Sequence, residues 1–229
     1  KNNKYNKYNK YNKSSSKKKY TKKRKGGKVL ASGGFGCVFK PALLCENETT
    51  RTPNSISKLM IKTRAIKEKT EIDSLYLKLS QIKHFKDYFL ISNIKLCNPK
   101  PLTQADLKSF NPECTALQKK KMTSENINKH LSELLMLTMP DGGLPVDDFL
   151  INNNDFKSFQ TLNNSLMDLL LNGIIPMNQL FIFHGDIKDS NILVEIKNDR
   201  MYTRLIDWGL TCSYKPSKFL RIPPVWFNR

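Results

Sequence analysis

His184-Gly185-Asp186-Ile187-Lys188-Asp189-Ser190-Asn191 is followed, sixteen residues after Asn191, by Asp207-Trp208-Gly209. A carboxylate, a lysine two residues on, an asparagine five residues on and a second carboxylate beyond a hairpin-like stretch form the set that phosphoryl transfer from Mg-ATP requires. Asp186 would accept or orient the proton of an attacking hydroxyl, and Lys188 would offset charge on the moving phosphoryl group. Asn191 and Asp207 would supply hard oxygen ligands to Mg²⁺, whose shell is usually completed by substrate phosphates. The chemistry needs little covalent work from the protein and much positioning.

The elements that would do this positioning can be read around the motif. Ile192-Leu193-Val194 and Arg204-Leu205-Ile206 flank a polar Lys197-Asn198-Asp199 turn, so two short strands are predicted to hold the acids at a fixed separation. Far upstream, Leu30 to Phe39 has the form of a phosphate-covering hairpin. Ala31, Gly33, Gly34, Phe35 and Gly36 would bring backbone amides close to phosphate oxygens, and Val38 would close over a base. Ile56 to Ile61 reads as a strand carrying Lys58, which could reach the α and β phosphates if a helix glutamate held it. The next segment, about 65 to 82, sets Ile72, Leu75, Leu79 and Ile82 on one helical face. Glu68 and Glu71 both border that face, and Glu71 is the preferred partner because it leaves a more usual distance to a strand expected at Tyr88 to Ile91.

A second apolar strand, Leu134 to Leu137, runs into Thr138 and Met139, where an extended backbone could meet an adenine edge. Residues 155 to 180 then give a helical pattern in Phe159, Leu162, Leu166, Leu169 and Leu170, expected to end at Asn172-Gly173.

In this order the parts resemble the protein kinase superfamily over roughly residues 28 to 229. GGFGCVF is similar to its Gly-rich loop, ISK to its phosphate-lysine strand, HGDIKDSN to its catalytic loop and DWG to its metal-binding DFG site. The resemblance implies an α+β, kinase-like bilobal fold: a small antiparallel β lobe with one helix, then a partial, mainly helical C-lobe, with ATP and Mg²⁺ between them. It implies a serine/threonine kinase acting on a protein substrate, with Asp186, Lys188, Lys58 and Glu71 as catalytic residues. The wording GGFGCVFKP also resembles kinases of large DNA viruses with AT-rich genomes. A small-molecule kinase of the aminoglycoside phosphotransferase type and a nucleotide-binding pseudokinase are the alternatives.

Departures from the family pattern carry expectations of their own. Ala31 stands at the first loop glycine, Ile56 replaces a small residue, and Trp208 replaces phenylalanine. Gly185 replaces the arginine that answers a phosphorylated activation loop, so activation through that pocket is not expected. The short sequence after Gly209 suggests a truncated lobe. The expected division is a basic, disordered low-complexity tail at 1–27, an N-lobe at 28–138 with an insertion at about 92–132, and a hinge with partial C-lobe at 139–229.

Composition limits other classes. The net charge is +19, but residues 1 to 28 hold thirteen Lys or Arg and no acid, leaving 26 basic against 20 acidic residues elsewhere. The repeated Lys-Tyr-Asn triplets of the tail suggest a weak secondary contact with nucleic acid. The 92–132 insertion reads as a tolerated surface loop in preference to a docking element. Five cysteines without CxxC spacing indicate neither zinc nor a disulfide framework, hence a reducing compartment: an intracellular location, host cytoplasm or virion for a viral chain. No apolar stretch is long enough to span a membrane, and oligomeric state is not legible.

Overall fold

The computed structural model describes residues 27–214; the tail and the last fifteen residues lie outside them. The N-terminal half is built on a five-stranded antiparallel sheet in the order β1-β2-β3-β5-β4. Its strands are β1 (Lys28–Ser32), β2 (Gly36–Lys40), β3 (Ser55–Ile61), β4 (Lys95–Cys97) and β5 (Leu134–Pro140). Because side chains alternate along each strand, the register sorts residues onto two faces. Lys58 lies opposite Val38 on one side and Leu137 on the other, with Ala31 opposite Val38. Cys37, Phe39, Leu59 and Met136 share the opposite face.

Each face has its own cover. Helix α1 (Lys62–Leu79) follows β3 without an intervening loop and packs Ala65, Ile72, Leu75 and Leu79 against Met60, Leu135 and Leu137. Each fully buried aliphatic side chain there contributes about 2 kcal/mol. The other face is covered by residues between β4 and β5, which form α2 (Gln104–Leu107), α3 (Phe110–Glu113), α4 (Thr115–Gln118) and short 3₁₀ turns. Leu102, Phe110, Cys114, Leu117, Met122 and Ile127 are buried there with Val29, Cys37, Phe39, Leu59 and Met136. The insertion is therefore a folded layer and not the surface loop that its polar composition predicted. Six or so apolar residues spaced through a polar segment suffice once a sheet face is waiting for them.

The second half contains β6 (Leu144–Pro145), α5 (Val146–Asn152), α6 (Phe156–Asp168), a π-helical turn (Leu169–Ile174), α7 (Ile175–Gln179), β7 (Ile182–Phe183), β8 (Ile192–Lys197), β9 (Arg200–Leu205) and β10 (Cys212–Ser213). β8 and β9 form the predicted hairpin, paired from Ile192↔Leu205 to Lys197↔Arg200. One core runs from α1 and β5 through Phe89, Leu162, Leu169, Ile192, Leu205 and Trp208, joining both halves. The whole is mixed α and β with antiparallel sheets, compatible with a bilobal kinase-like fold.

Three element expectations are corrected. Tyr88 to Ile91 is not a strand: Phe85–Asp87 forms a 3₁₀ turn and Phe89 makes only an isolated bridge to Leu205, while the sheet strand is Lys95–Cys97. The helical run does not end at Asn172-Gly173, because the π turn accommodates Gly173 against Tyr88, where a Cβ would come within 2.8 Å of the tyrosine Cβ. On α6 and the turn after it, Leu162 and Leu169 are buried but Phe159 and Leu170 are exposed. Among the described residues no helix is long and apolar enough to cross a membrane.

Candidate active site

Asp186 and Asn191 are brought together directly. The Asn191 amide nitrogen donates to both the backbone carbonyl and the carboxylate Oδ2 of Asp186, each at 2.9 Å. Asn191 is buried, and both of these bonds use Nδ2, which leaves its amide oxygen as the atom suited to a cation. Lys188 Nζ donates to the same Asp186 Oδ2 at 2.9 Å. The motif spacing thus produces one cluster from three predicted residues.

Asp207 is delivered to the cluster by backbone. The Ile206 N–H donates to the Asn191 carbonyl at 3.0 Å, and Asp207 follows in a left-handed conformation with φ 62°. A non-glycine residue there is uncommon and costs about 1–3 kcal/mol unless its surroundings impose it. His184 helps impose it. Its ring is buried, its Nε2 lies 2.9 Å from the Ile206 carbonyl, and its Nδ1 lies 3.3 Å from the Asp186 N–H. The Asp186 amide can only donate, so Nδ1 accepts and Nε2 carries the proton. Burial lowers the histidine pKa, in keeping with this neutral form. The ring stacks edge-on against Trp208 at 4.9 Å, and Trp208 against Phe89 at 5.7 Å. Trp208 thus fills an apolar niche, although among the described residues its Nε1 is buried without a partner.

Gly185 has φ 79°, and a Cβ there would lie 2.5 Å from the Leu210 carbonyl oxygen. The backbone itself excludes an arginine at this place. Gly143, which the sequence reading did not single out, is as constrained: φ is 101° and a Cβ would lie 2.0 Å from the Val194 carbonyl oxygen.

On the sheet side, Lys58 Nζ reaches Glu68 Oε1 and Oε2 at 2.8 and 2.9 Å. The preference for Glu71 is overturned. Glu71 instead lies 3.8 Å from Lys67 on the exposed side of α1. The reason is helical phase: α1 begins directly at Lys62, and Glu68 sits three residues after Ala65 and four before Ile72, inside the buried stripe. That stripe was the available signal. Ala31 and Val38 share the Lys58 face of the sheet, the face from which Val38 would cover a base.

The glycines of the hairpin divide. A Cβ on Gly36 would meet the Leu59 carbonyl oxygen at 2.4 Å, whereas one on Gly33 would make an ordinary contact with the Gly36 carbonyl oxygen at 3.9 Å and one on Gly34 would stand in open space. Phe35 at the tip is exposed, with the Arg64 guanidinium 4.5 Å from its ring centre. At the predicted adenine edge, Thr138 is opposite Ser57 and Lys95, whereas Met139 pairs only with Ile56, beyond the end of the β4 ladder. Among the described residues no group of three or more His, Cys, Asp or Glu side chains could hold a metal ion. A Mg²⁺ held by Asp207 and Asn191 and completed by phosphates needs no such group.

The cysteine reading is also corrected. Cys37 is bonded to Cys114 and Cys45 to Cys97, leaving Cys212 free. The inference of a reducing compartment from unpaired cysteines therefore loses its premise.

Fold and site together are compatible with a kinase-like protein. Comparison agrees at that level: the chain is 26% identical over 194 residues to human myosin light chain kinase family member 4 and 25% identical to the mouse protein of the same name. The alignment covers 85% of this chain and 39% of each relative, so the chain spans about two-fifths of their length. No protein-family profile matches it.

Proposed function

We propose that this chain is a protein serine/threonine kinase that transfers the γ-phosphate of Mg-ATP to a protein hydroxyl. The carrying observation is the Asn191 amide clamped on the Asp186 carboxylate, with the strand into Asp207 hydrogen-bonded to Asn191 itself. In this reading Asp186 orients the acceptor hydroxyl and takes its proton, while Asn191 Oδ1 and the Asp207 carboxylate hold magnesium. The metal would neutralise charge on the phosphate oxygens. Lys188 leaves the Asp186 carboxylate to follow the transferring phosphoryl group, and Lys58, held by Glu68, engages the α and β phosphates. Gly33 and Gly34 support the same reading, because no described neighbour demands glycine there while an approaching phosphate would. The residues fall into a nucleotide-covering part at 28–138 and an acceptor-binding part from 139 onward. Gly185 leaves no arginine for an activation-loop phosphate, so the active arrangement is reached without that pocket.

The test is radiolabelled transfer from Mg-ATP to a casein-type protein and, separately, to small alcohols. Wild-type protein should label the protein acceptor, and Asp186→Asn should lose about 10³-fold or more of the rate while still binding nucleotide. Labelling of small alcohols alone, or nucleotide binding without transfer, would overturn the proposal in favour of a small-molecule kinase or a pseudokinase.

A further inference from the structure

The insertion between β4 and β5 touches the Gly-rich hairpin along its whole outer face. Val29 N–H donates to Ser109 Oγ at 3.2 Å, and Gly27 N–H donates to Asp106. Phe39 packs on Phe110 with ring centres 6.3 Å apart. Ser32 Oγ accepts from the Ala116 N–H at 3.0 Å and from the Thr115 hydroxyl at 3.1 Å. It also lies 3.6 Å from Cys37 Sγ, and since that sulfur is bonded to Cys114, the serine hydroxyl is the donor. Every hydrogen-bonding position of Ser32 is thereby used.

These anchors alternate with the residues that face the cleft. Ser32 follows Ala31, and Cys37 precedes Val38; in both pairs the first-named side chain is on the insertion side and the second on the Lys58 side. Fixing one face of a pleated strand fixes the height of the other. β2 is held by its ladder to β3, but β1 is the edge strand and pairs in this sheet with β2 alone, so the pose of the hairpin's outer strand and tip over a ligand depends on what holds its back.

We propose that residues 98–133 are a cradle that fixes the pose of the Gly-rich hairpin and thereby sets affinity for the triphosphate part of the nucleotide, with Ser32 and the Cys37–Cys114 pair as positioning residues. The ligand half of this inference rests on the kinase reading; the holding of the hairpin does not. The cradle acts more on phosphate than on the nucleoside, because the anchored positions flank the Gly33-Gly34 tip, whereas base-covering Val38 is also held by its pairing with Lys58 on β3 and Met139 lies on β5 outside the hairpin.

The test compares wild type, Ser32→Ala, Ser32→Thr and the double variant Cys37→Ser/Cys114→Ser. Amide hydrogen exchange over residues 29–40 and equilibrium binding of Mg-ATP and of adenosine are measured. Ser32→Ala should speed exchange in the hairpin and weaken Mg-ATP about fivefold, the scale of one or two hydrogen bonds, with adenosine changed less than about twofold. The double variant should do more in the same direction, and Ser32→Thr, which keeps the hydroxyl, should stay near wild type. Unchanged hairpin exchange in Ser32→Ala, or equal loss for both ligands, overturns the proposal, and should the cysteine variant fail to fold the serine pair decides it alone. A wild-type protein that binds no Mg-ATP overturns the kinase reading instead, while the exchange comparison still decides whether the insertion holds the hairpin.

Discussion

At the scale of single residues, Glu68 and Glu71 make a controlled comparison, since they are three positions apart on one helix and carry the same charge. Lys58 Nζ touches both oxygens of Glu68, and losing that partner frees the ammonium to wander from the phosphates. Glu68→Gln is therefore expected to lower kcat/KM for ATP by about 10²-fold, while Glu71→Gln, at an exposed i,i+4 contact, changes it less than about twofold. Steady-state kinetics on the two variants checks this, and equal effects would sink it. His184 gives a pH dependence. Its pKa in the folded protein lies below its ordinary value near 6.5 because burial opposes the charged ring. The unfolded chain then takes up a proton that the folded chain refuses, so this contribution to stability is present above pH 6.5 and is lost as the pH falls below it. The loss approaches about 1.4 kcal/mol per pH unit at most. Urea titrations between pH 7.5 and 5 should show the midpoint falling, and His184→Gln should flatten that component of the slope.

At the scale of elements, the Gly-rich hairpin separates folding from ligand chemistry. Gly36 lies against the Leu59 carbonyl, whereas a Cβ on Gly33 would make only an ordinary contact with the Gly36 carbonyl oxygen at 3.9 Å and one on Gly34 would meet no described atom. Gly36→Ala should cost about 2 kcal/mol or more in thermal or chemical unfolding, since the β2–β3 ladder must part to admit a methyl group. Gly33→Ala and Gly34→Ala should leave stability within about 0.5 kcal/mol and act on nucleotide affinity; a melting shift in these two as large as that of Gly36→Ala would refute the division. The hairpin, β3 with Lys58, β5 and the β8–β9 pair were all legible from short alternating or apolar runs bounded by turn residues. So was the Asp186-Asn191 cluster, because its geometry is local. What escaped had non-local causes. Tyr88 to Ile91 is apolar because Phe89 and Ile91 enter the core that joins the halves, not because they pair in a sheet. The insertion looked polar because its few core residues are spread over helices of four residues each and the turns and connections between them, too short to show a period. The preference for Glu71 rested on the distance to the strand expected at Tyr88 to Ile91, and with the strand displaced to Lys95–Cys97 its ground is gone.

At the scale of the whole molecule, the two cores are held by different means. The core that joins the halves is large, continuous and rich in aliphatic and aromatic side chains. The outer core is made by a segment with little regular structure, and it contains both disulfides. The Cys37–Cys114 bond spans 77 residues and Cys45–Cys97 spans 52. Restricting the unfolded chain by either loop alone is worth about 4 kcal/mol in the chain-entropy account, a large share of the roughly 5–15 kcal/mol that holds a domain. Because the two loops overlap in sequence, their joint contribution falls short of the sum. Alkylation of the native oxidised protein should therefore label one of its five cysteines, Cys212, and peptide mapping should recover the 37–114 and 45–97 pairs. Full reduction should lower the melting temperature by roughly 10 °C. Within residues 27–214, proteolysis of the reduced protein should begin at Lys119–Lys121, in the outer layer, before the α6 and β8–β9 region is cut. Five accessible thiols in the native protein, or cleavage that starts in the joining core, would show that the insertion is held by packing alone.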